Sequence, residues 1–538
     1  MNLKGKIIAL LLVIVIGTIL LSVVEEKLNP TVNELTVDRK QQHIQAMESG
    51  ANPSIGTTTI AEDGTVGKNF VSHLPLVVID IGNQKIPVTK RFALNEYGDE
   101  IIEHTGADPY VEGYIHLIDN PDYINSLTDT ATMTSNMKIK YRGNTSLTLE
   151  KKQYGIKLYN EDGTNRRESV LGMTANNDWV LNGSMIDSTL IRNYMSYNLG
   201  SVFFPYTTEV RYCEVILKRG DIYKYQGVYL MMEKVEEGNE RVDLKDYQKG
   251  DDFVSYLLCR DRQDSTELQL STYGSKNRLS YGALSVLYPT TDILDSYALD
   301  YITKDIDNIE KILYSDDVQI FSTWTEYLDT QSFIDYFVFN EMMGNFDAGE
   351  NSTYMYRNQS GKLCMGPVWD YDGAMDNYSA MLYNPQQIVF DEQPWFDRLC
   401  LSEVYVNGLI KRYGELRGSI LSAEYLNAYV DEVSRFLGNA ALREWSRWEH
   451  VYGVNGSFDS EYDQDGYSVD RTREHYNEEV QRLKDYFSMK EIFMEDGLEE
   501  LQDDAKKTSN FYGQYLVIIL ILVLVCSAVL ISRRKYFK

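Results

Sequence analysis

The chain has little positive charge for its size. Its 538 residues include 52 lysine and arginine residues against 80 aspartate and glutamate residues, which gives a formal net charge of -28. A protein whose main partner is a nucleic acid needs a basic surface for the phosphate backbone. The composition therefore argues against a nucleic-acid partner, while the length leaves room for two or more domains.

Cysteine is also scarce and lacks metal-binding spacing. The five cysteines are Cys213, Cys259, Cys364, Cys400 and Cys526. No two of them form a C-x-x-C pair, so the sequence predicts no cysteine metal site. We expect free thiols rather than disulfide bridges.

The sequence contains none of the common hydrolase motifs. The six histidines are scattered without an H-E-x-x-H pair, which argues against a zinc hydrolase. No G-x-S-x-G elbow is present, which argues against an α/β-hydrolase. Pairs of acids abound, so composition alone does not exclude a glycosidase. The spaced acids of 458–470 could bind Ca²⁺, but they lack the twelve-residue pattern that ends in Glu, which favours a solvated loop.

Long apolar runs occur only near the two chain ends, at 7–24 and 516–532. Each run approaches the length of about 20 residues that spans a bilayer, and basic residues flank both at the chain ends. We therefore expect an N-terminal transmembrane anchor or signal segment at 1–24, and a transmembrane helix at 512–532 with a basic cytoplasmic tail at 533–538. These features predict a cell-membrane protein that contacts the lipid bilayer through both ends. Both termini would be cytoplasmic and the main domain extracytoplasmic.

The region between these ends divides by composition and by hydrophobic period. We expect a polar stalk at 25–70, a β-rich module at 71–130, a main domain at 131–455 and a helical C-terminal extension at 456–511. Tyrosine is frequent, at 41 residues, and suits half-buried strands and surface grooves. The predicted strands are 74–80, 114–117, 137–141, 153–158, 212–217 and 227–232. The predicted helices are 190–203, 297–313, 332–343, 413–416, 425–437 and 479–487.

A β-hairpin is predicted inside the stretch 339–374. Two apolar-aromatic runs, 354–357 and 368–369, flank a turn at 358–361. This alternation of strand and turn signals is typical of a hairpin. Polar loops precede the first run and follow the second, so their side chains should meet at the mouth of the hairpin.

Those two loops carry the candidate chemistry. Asp347 and Asn351 precede the hairpin, and Asp370 and Asp372 follow it. Phosphoryl transfer needs a carboxylate that orients the attacking hydroxyl, and an Asn and an Asp that hold Mg²⁺ on the phosphates. The alternative interpretation is a solvated acidic turn in an acid-rich chain.

Several sequence blocks, in their order along the chain, resemble the CotH family of spore-coat-type atypical protein kinases. The resemblance covers most of the chain between the apolar ends. The blocks are LPLVVID at 74–80, RGNTS at 142–146, KKQYGIKL at 151–158, NDWVLNGSMIDSTLIRN at 177–193, GVYLMMEKV at 227–235, NFDAGENSTYMYRN at 345–358 and GPVWDYDGA at 366–374.

The resemblance implies an α+β, atypical protein-kinase-like fold of two lobes. On our boundaries this fold would include the small N-terminal β-rich module and would be flanked by transmembrane helices. ATP would lie in the cleft with Mg²⁺ or Mn²⁺. By the resemblance, Asp347 is similar to the acid that orients the substrate hydroxyl, and Asn351 and Asp370 resemble the metal ligands. Asp372 is a rival to Asp370, because it directly precedes Gly373.

The resemblance also implies residues for the phosphates. Arg142, in RGNTS, would cover the phosphates, because the chain has no G-x-G-x-x-G loop. Lys152 resembles the phosphate-binding lysine and Lys157 is its rival. Residues five apart face opposite sides of a regular strand, so at most one of the two enters the cleft. Glu233 and Asp187 are both candidates for the partner of that lysine, and either can instead be a structural cap or rim charge.

The implied function is a membrane-anchored protein kinase that transfers the γ-phosphate of ATP to Ser or Thr of surface or coat proteins. Transfer of AMP is also compatible with these residues. The alternative is a non-catalytic, adhesin-like surface module that keeps the kinase-like fold. The presence of Asp347, Asn351, Asp370 and a lysine favours activity, or at least nucleotide binding, because an inactive kinase fold tends to lose its metal ligands.

Overall fold

The computed structural model describes residues 39–377, 385–452 and 475–535, together with the short strands at 461–464 and 467–470. Beyond residue 507 it describes only the course of the helix. The strands of the first half are β1 (Thr65–Val66), β2 (Val71–Ser72), β3 (Leu76–Asp80), β4 (Lys90–Leu94), β5 (Glu100–His104), β6 (Val111–Ile118), β7 (Asn125–Ser126), β8 (Met133–Arg142), β9 (Gln153–Tyr159), β10 (Asp178–Asn182), β11 (Val210–Arg219) and β12 (Ile222–Glu233).

The second half contains short strands between helices. The strands are β13 (Tyr256–Asp261), β14 (Gln263–Asp264), β15 (Ala283–Tyr288), β16 (Thr353–Arg357), β17 (Leu363–Met365), β18 (Glu461–Gln464) and β19 (Tyr467–Asp470). The α-helices of the described residues are α1 (Gln42–Glu48), α2 (Arg192–Gly200), α3 (Tyr273–Asn277), α4 (Ser296–Leu313), α5 (Val318–Phe321), α6 (Trp324–Tyr327), α7 (Thr330–Met343), α8 (Phe396–Leu399), α9 (Glu403–Leu416), α10 (Ala423–Tyr452) and α11 (Tyr476–Lys535).

Seven strands form a ring that closes on itself. They follow the order β12, β10, β9, β8, β6, β3 and β11, and β11 pairs with both β3 and β12. The β3–β11 pair is parallel and the other six pairs are antiparallel. We call this unit the ring sheet.

Side chains alternate across the ring sheet. Inward residues, among them Met137, Ile139, Ile156 and Trp179, pack into one buried core. Successive side chains of a strand point to opposite faces, so the intervening residues of β8, β9 and β10 face outward. Lys157 is one of these outward residues.

A smaller sheet follows in the order β15, β13, β16 and β17. It contains the predicted hairpin, although the second strand is Leu363–Met365 rather than 368–369. Helix α7 precedes the hairpin and is buried along most of its length. Aromatic rings from α7, α8 and α9 pack together beside it, including Phe337, Phe396 and Tyr405.

The predicted fold class is wrong. The structure instead has a closed ring of seven strands with one additional strand and helices, and β3 and β6 hydrogen-bond directly into this ring beside β8 and β11. In place of two lobes, the described residues from Arg39 onward form one compact unit. Hydrophobic period identified most strands, but closure of the ring depends on pairs distant in sequence.

The predicted membrane topology is corrected as well. Among the residues that the structure describes, no helix has a stretch both long and apolar enough to cross a membrane. This finding contradicts the flanking transmembrane helices, the bilayer contact and the localisation inferred from them. The segment 512–532 is the distal part of α11 rather than an element of its own. The segment 1–24 lies outside the described residues, as do residues 458–460 and 465–466 of the stretch 458–470.

Two buried ion pairs join α10 to the ring sheet. Arg443 contacts Glu214 at 2.8 Å, and Lys151 contacts Glu444 at 2.7 Å, with all four side chains inaccessible to solvent. Lys151 also donates to the carbonyl of Val228 at 2.7 Å. Burial lowers the pKa of Lys151 and raises that of Glu444, while each charge opposes the shift of its partner. Lys151 is therefore a structural residue.

Replacing Lys151 should strongly destabilise the protein. Lys151→Met leaves Glu444 buried without its counter-charge, which typically costs about 3–5 kcal/mol of unfolding free energy. The control is Lys304→Met, which removes an exposed pair with Asp300 and should change little. Urea unfolding measures both variants. Equal, small effects would contradict the structural role of Lys151.

Candidate functional site

A cavity of about 1210 Å³ lies against the outer face of the ring sheet. The outward residues of β8, β9 and β10 form one wall. The loops 345–352 and 369–373 and the end of β13 form the other wall. Small-molecule sites commonly occupy about 300–1,000 Å³, so this cavity can hold a nucleotide and part of a second substrate.

The first acidic loop begins where α7 ends. Gly344 adopts a positive φ of 57° at the helix C-terminus and turns the chain toward the cavity. The backbone N–H of Asn351 donates to the carbonyl of Asp347 at 2.8 Å, and its side-chain amide donates to the Asp347 carboxylate at 2.9 Å. These two bonds fix the carboxylate relative to the amide. The Asn351 side-chain oxygen makes neither bond and stays available to a cation.

The second acidic loop lies beside the first. Ser352 donates to the Asp370 carboxylate at 3.4 Å. Asn345 connects the two loops, because its amide donates to the Asp370 carbonyl at 3.3 Å while its oxygen accepts the Asp347 N–H at 3.3 Å. The structure thus brings Asp347, Asn351 and Asp370 to one wall, and Asp372 lines the same cavity.

This wall has an excess of negative charge. Removal from water, the largest cause, raises the pKa of Asp347 and of Asp370, and the charge of Asp370 adds to the shift of Asp347. The pKa of Asp372 lies well above its usual range for the same reasons. Arg142 opposes the shift of Asp370. Such carboxylates favour a bound cation, because a cation stabilises their ionised forms.

The donor set fits Mg²⁺ that is shared with phosphates. Among the described residues, no three His, Cys, Asp or Glu side chains are arranged to hold a metal alone. Mg²⁺ usually binds one or two carboxylates and takes further oxygens from water and substrate phosphates. Asn351 and Asp370 supply one amide and one carboxylate oxygen, so they fit this kind of site.

The opposite wall is basic. Lys140 and Arg142 project from the outward face of β8, about 7 Å apart along the strand. The Lys140 side chain lies across Gly155 of β9, with its carbons 3.5 Å from the position that a β-carbon would occupy there. Burial, together with the charges of Lys90 and Lys234, lowers the pKa of Lys140.

Two further lysines of the cavity lining flank one carboxylate, that of Asp178. Lys157 lies 3.7 Å and Lys234 3.6 Å from Asp178. One carboxylate does not neutralise these two lysines and Lys140. The basic wall therefore suits a polyanion such as a triphosphate.

Two predicted phosphate-site residues lie outside the cavity wall. Lys152 donates to the carbonyls of Leu147 and Leu149, both at 2.6 Å, and so holds the turn after β8. Glu233 pairs with Arg241 at 3.1 Å and accepts from the hydroxyl of Tyr206 at 3.1 Å. Neither residue contacts the other.

The three rival candidates, Lys157, Asp187 and Asp372, differ in their position relative to the cavity. Lys157 does line the cavity. Asp187 is buried against Arg192 at 2.7 Å and pairs with no lysine. Asp372 lies in the cavity wall together with Asp370, so both carboxylates face the same cavity.

Sequence reasoning missed two residues of the cavity. Lys140 lies two positions before Arg142, and the strand period of two could have placed both on one face. Asp261 ends β13, and only the pairing of β13 with β16 brings it near Asp347 and Asp370. No local pattern predicts that approach.

A basic wall facing an amide and several carboxylates is typical of proteins that handle phosphate groups with a divalent metal. The family model described as CotH kinase protein matches residues 139–494. The chain therefore belongs to the CotH kinase protein family, and it is a kinase-like protein, as its sequence blocks predicted. No curated protein matches the chain. Kinases in general use ATP and a divalent cation.

Asp261 should make stability depend on pH. Removal from water, and then the charges of Asp347 and Asp370, raise its pKa to about 7, whereas an unfolded Asp titrates near 3.9. The folded state therefore holds a proton that the unfolded state releases, and this stabilisation is lost as the pH rises toward 7. The free energy of unfolding of Asp261→Asn should rise relative to that of wild type between pH 5.5 and pH 7. Above pH 7 the difference between the two proteins should stay constant.

Urea midpoints in EDTA at pH 5.5, 6.5, 7.5 and 8.5 test this prediction. The control is Asp221→Asn, at a side chain 99 % exposed, which should show no such trend. A pH-independent difference between Asp261→Asn and wild type would contradict the shifted pKa.

Proposed function

We propose that this protein is an ATP-dependent protein kinase that transfers the γ-phosphate to Ser or Thr hydroxyls with Mg²⁺ or Mn²⁺. The observation that carries the proposal is a cavity whose two walls carry opposite charge. A basic wall from the ring sheet faces Asp347, Asn351 and Asp370 from two loops on either side of one hairpin. The predicted domain boundaries, with a kinase-like domain at 131–455, stay a prediction.

In this proposal Asn351 and Asp370 hold the metal against the phosphates. When bound, the metal neutralises phosphate charge and orients the γ-phosphoryl group. The side-chain amide of Asn351 is engaged by Asp347 at 2.9 Å, so its carbonyl oxygen is the atom that ligates. Asp372 lies close enough to Asp370 that each affects the pKa of the other, and it supports the same site.

Asp347 orients the acceptor hydroxyl and receives its proton. Its carboxylate is held by Asn351, so its direction is fixed before a substrate binds. Its raised pKa makes the carboxylate a stronger base than a solvated aspartate, which suits a group that takes a proton near neutral pH. The proton moves from the acceptor oxygen to an Asp347 oxygen while the acceptor oxygen bonds to phosphorus and ADP leaves.

Arg142 and Lys140 bind the triphosphate. Arg142 is the positive charge with the strongest effect on the pKa of Asp370, and Lys140 lies two residues before it on the same face of β8. We assign Lys140, rather than Lys152, to the phosphates because Lys140 lines the cavity, whereas Lys152 does not and already binds two backbone carbonyls. Glu233 has no part in this arrangement, since its partners are Arg241 and Tyr206.

Label transfer tests the proposed reaction. The full chain is incubated with Mg²⁺ or Mn²⁺ and ATP labelled at the γ- or the α-phosphate, with a mixture of acceptor proteins and with itself. We expect transfer of the γ-label only. Transfer of the α-label would mean that AMP is moved, and metal-dependent binding without transfer would favour the non-catalytic binding module.

Lys140→Met should weaken ATP binding. Loss of one charge-assisted contact costs about 1.5–3 kcal/mol, which is about tenfold to a hundredfold in affinity. The matched control is Lys152→Met, which should affect binding much less. Equilibrium titration with ATP and Mg²⁺ measures both. A larger loss in Lys152→Met than in Lys140→Met would return the phosphate role to Lys152.

Asp370→Asn and Asp347→Asn should separate metal binding from catalysis. Asp370→Asn removes an anionic ligand from a cation that prefers carboxylate oxygen, so metal-dependent ATP affinity and transfer should fall together. Asp347→Asn should leave that affinity nearly unchanged and slow transfer by about a hundredfold or more. Affinity and initial rate are measured for each variant. The opposite pattern would invert the two roles.

A further inference from the structure

We propose that helix α2 is the element that positions the metal-binding segment 370–375. Three side chains of this one helix, Arg192, Asn193 and Tyr197, bind the backbone of that segment. This inference rests on the proposed function for its consequence in catalysis, while the contacts themselves are properties of the fold.

The contacts follow one another along the segment. The backbone N–H of Asp370 donates to the Tyr197 hydroxyl at 3.1 Å. The next N–H, that of Tyr371, donates to the side-chain oxygen of Asn193 at 2.8 Å. Arg192 donates to the carbonyl of Ala374 at 3.0 Å. The helix thus binds the start and the end of the loop that contains the candidate metal ligand.

The helix is itself immobilised. All nine residues of α2 are buried, and the Arg192 guanidinium is fixed by Asp187 at 2.7 Å. The Tyr197 ring packs near Trp369 and Tyr371, with centroid distances of 5.8 Å and 6.3 Å. A rigid helix can hold a neighbouring loop in one geometry.

The backbone of this segment is strained, so its geometry depends on contacts from neighbouring elements. Asp370, Met375 and Asp376 have φ values of 63°, 53° and 60°, in the left-handed region that residues with a β-carbon adopt at a cost. Backbone of this kind persists where surrounding contacts determine it, and it clusters at functional sites. The hydrogen bonds from α2 are such determining contacts. One of them binds the backbone N–H of Asp370, which is itself one of the residues with positive φ.

This arrangement differs from the one in ordinary protein kinases. There, a helix carries a glutamate that pairs with the phosphate-binding lysine, and the metal-binding Asp must be in place at the same time. The sequence of α2, RNYMSYNLG, contains no Asp or Glu. The side chains of helix α2 instead bind the backbone of the metal-binding segment directly. Tyr197 and Asn193 are therefore positioning residues: they act on the metal through the orientation of Asp370.

Tyr197→Phe tests the inference, because it removes the hydroxyl and keeps the ring packing. Its matched control is Tyr194→Phe on the same helix, which removes an equally buried hydroxyl that binds His43 rather than the segment. Asn193→Ala is a second variant. Each full-length protein is titrated with ATP at a series of Mg²⁺ concentrations, and amide hydrogen exchange of 370–371 is measured without ligand.

We expect Tyr197→Phe to need about tenfold more Mg²⁺ for half-maximal ATP binding, with ATP affinity in EDTA unchanged. Exchange at 370–371 should be faster than in Tyr194→Phe, which should match wild type in both measurements. Asn193→Ala should shift both in the same direction as Tyr197→Phe. A merely structural role would lower stability alike in both Tyr variants and leave the Mg²⁺ requirement unchanged.

If wild type binds ATP with Mg²⁺ and Tyr197→Phe behaves as Tyr194→Phe does, the inference is overturned while the proposed function stands. If wild type shows no metal-dependent ATP binding, the proposed function fails, and the exchange measurement alone decides the inference. Faster exchange in Tyr197→Phe than in Tyr194→Phe then supports the positioning role, and equal exchange overturns it.

Discussion

Closure of the ring sheet is the constraint on which the rest of the structure depends. Because β11 pairs with both β3 and β12, every strand of the ring has one face in a common core and one face outside. The outward residues of β8, β9 and β10 are thereby fixed as a wall of the cavity. The ion pairs of Arg443 and Lys151 with Glu214 and Glu444 lock α10 onto the same sheet.

The closed ring sheet also explains why positive and negative side chains lie on opposite walls of the cavity. The ring sheet contributes Lys140 and Arg142, whereas the loops on either side of the β16–β17 hairpin contribute Asp347 and Asp370. Each wall alone is unfavourable, since like charges lie together in partly dehydrated surroundings. A magnesium-bound triphosphate, the ligand that we propose, would satisfy both walls, with its anionic oxygens toward the lysines and its cation toward the carboxylates. The fold and the proposed chemistry therefore have one electrostatic explanation.

Local patterns predicted the elements better than their assembly. Strands such as 153–158, helices such as 297–313 and the acids around the hairpin were found because their signals lie within a few residues. The predicted fold class was wrong, because closure of the ring depends on pairing between β3 and β11, which lie far apart in sequence. Lys152 was chosen from a motif, yet its side chain binds the turn before β9. Asp261 reaches the site only through sheet pairing.

The most direct test of the account is a crystal structure of the full chain with Mn²⁺ and a non-hydrolysable ATP analogue, with the metal located by its anomalous scattering. The account predicts a metal bound to Asn351 and Asp370 at about 2.1 Å, close to the distance typical of Mg²⁺, with the triphosphate alongside Arg142 and Lys140. A nucleotide bound elsewhere, or a metal that contacts neither Asn351 nor Asp370, would contradict it.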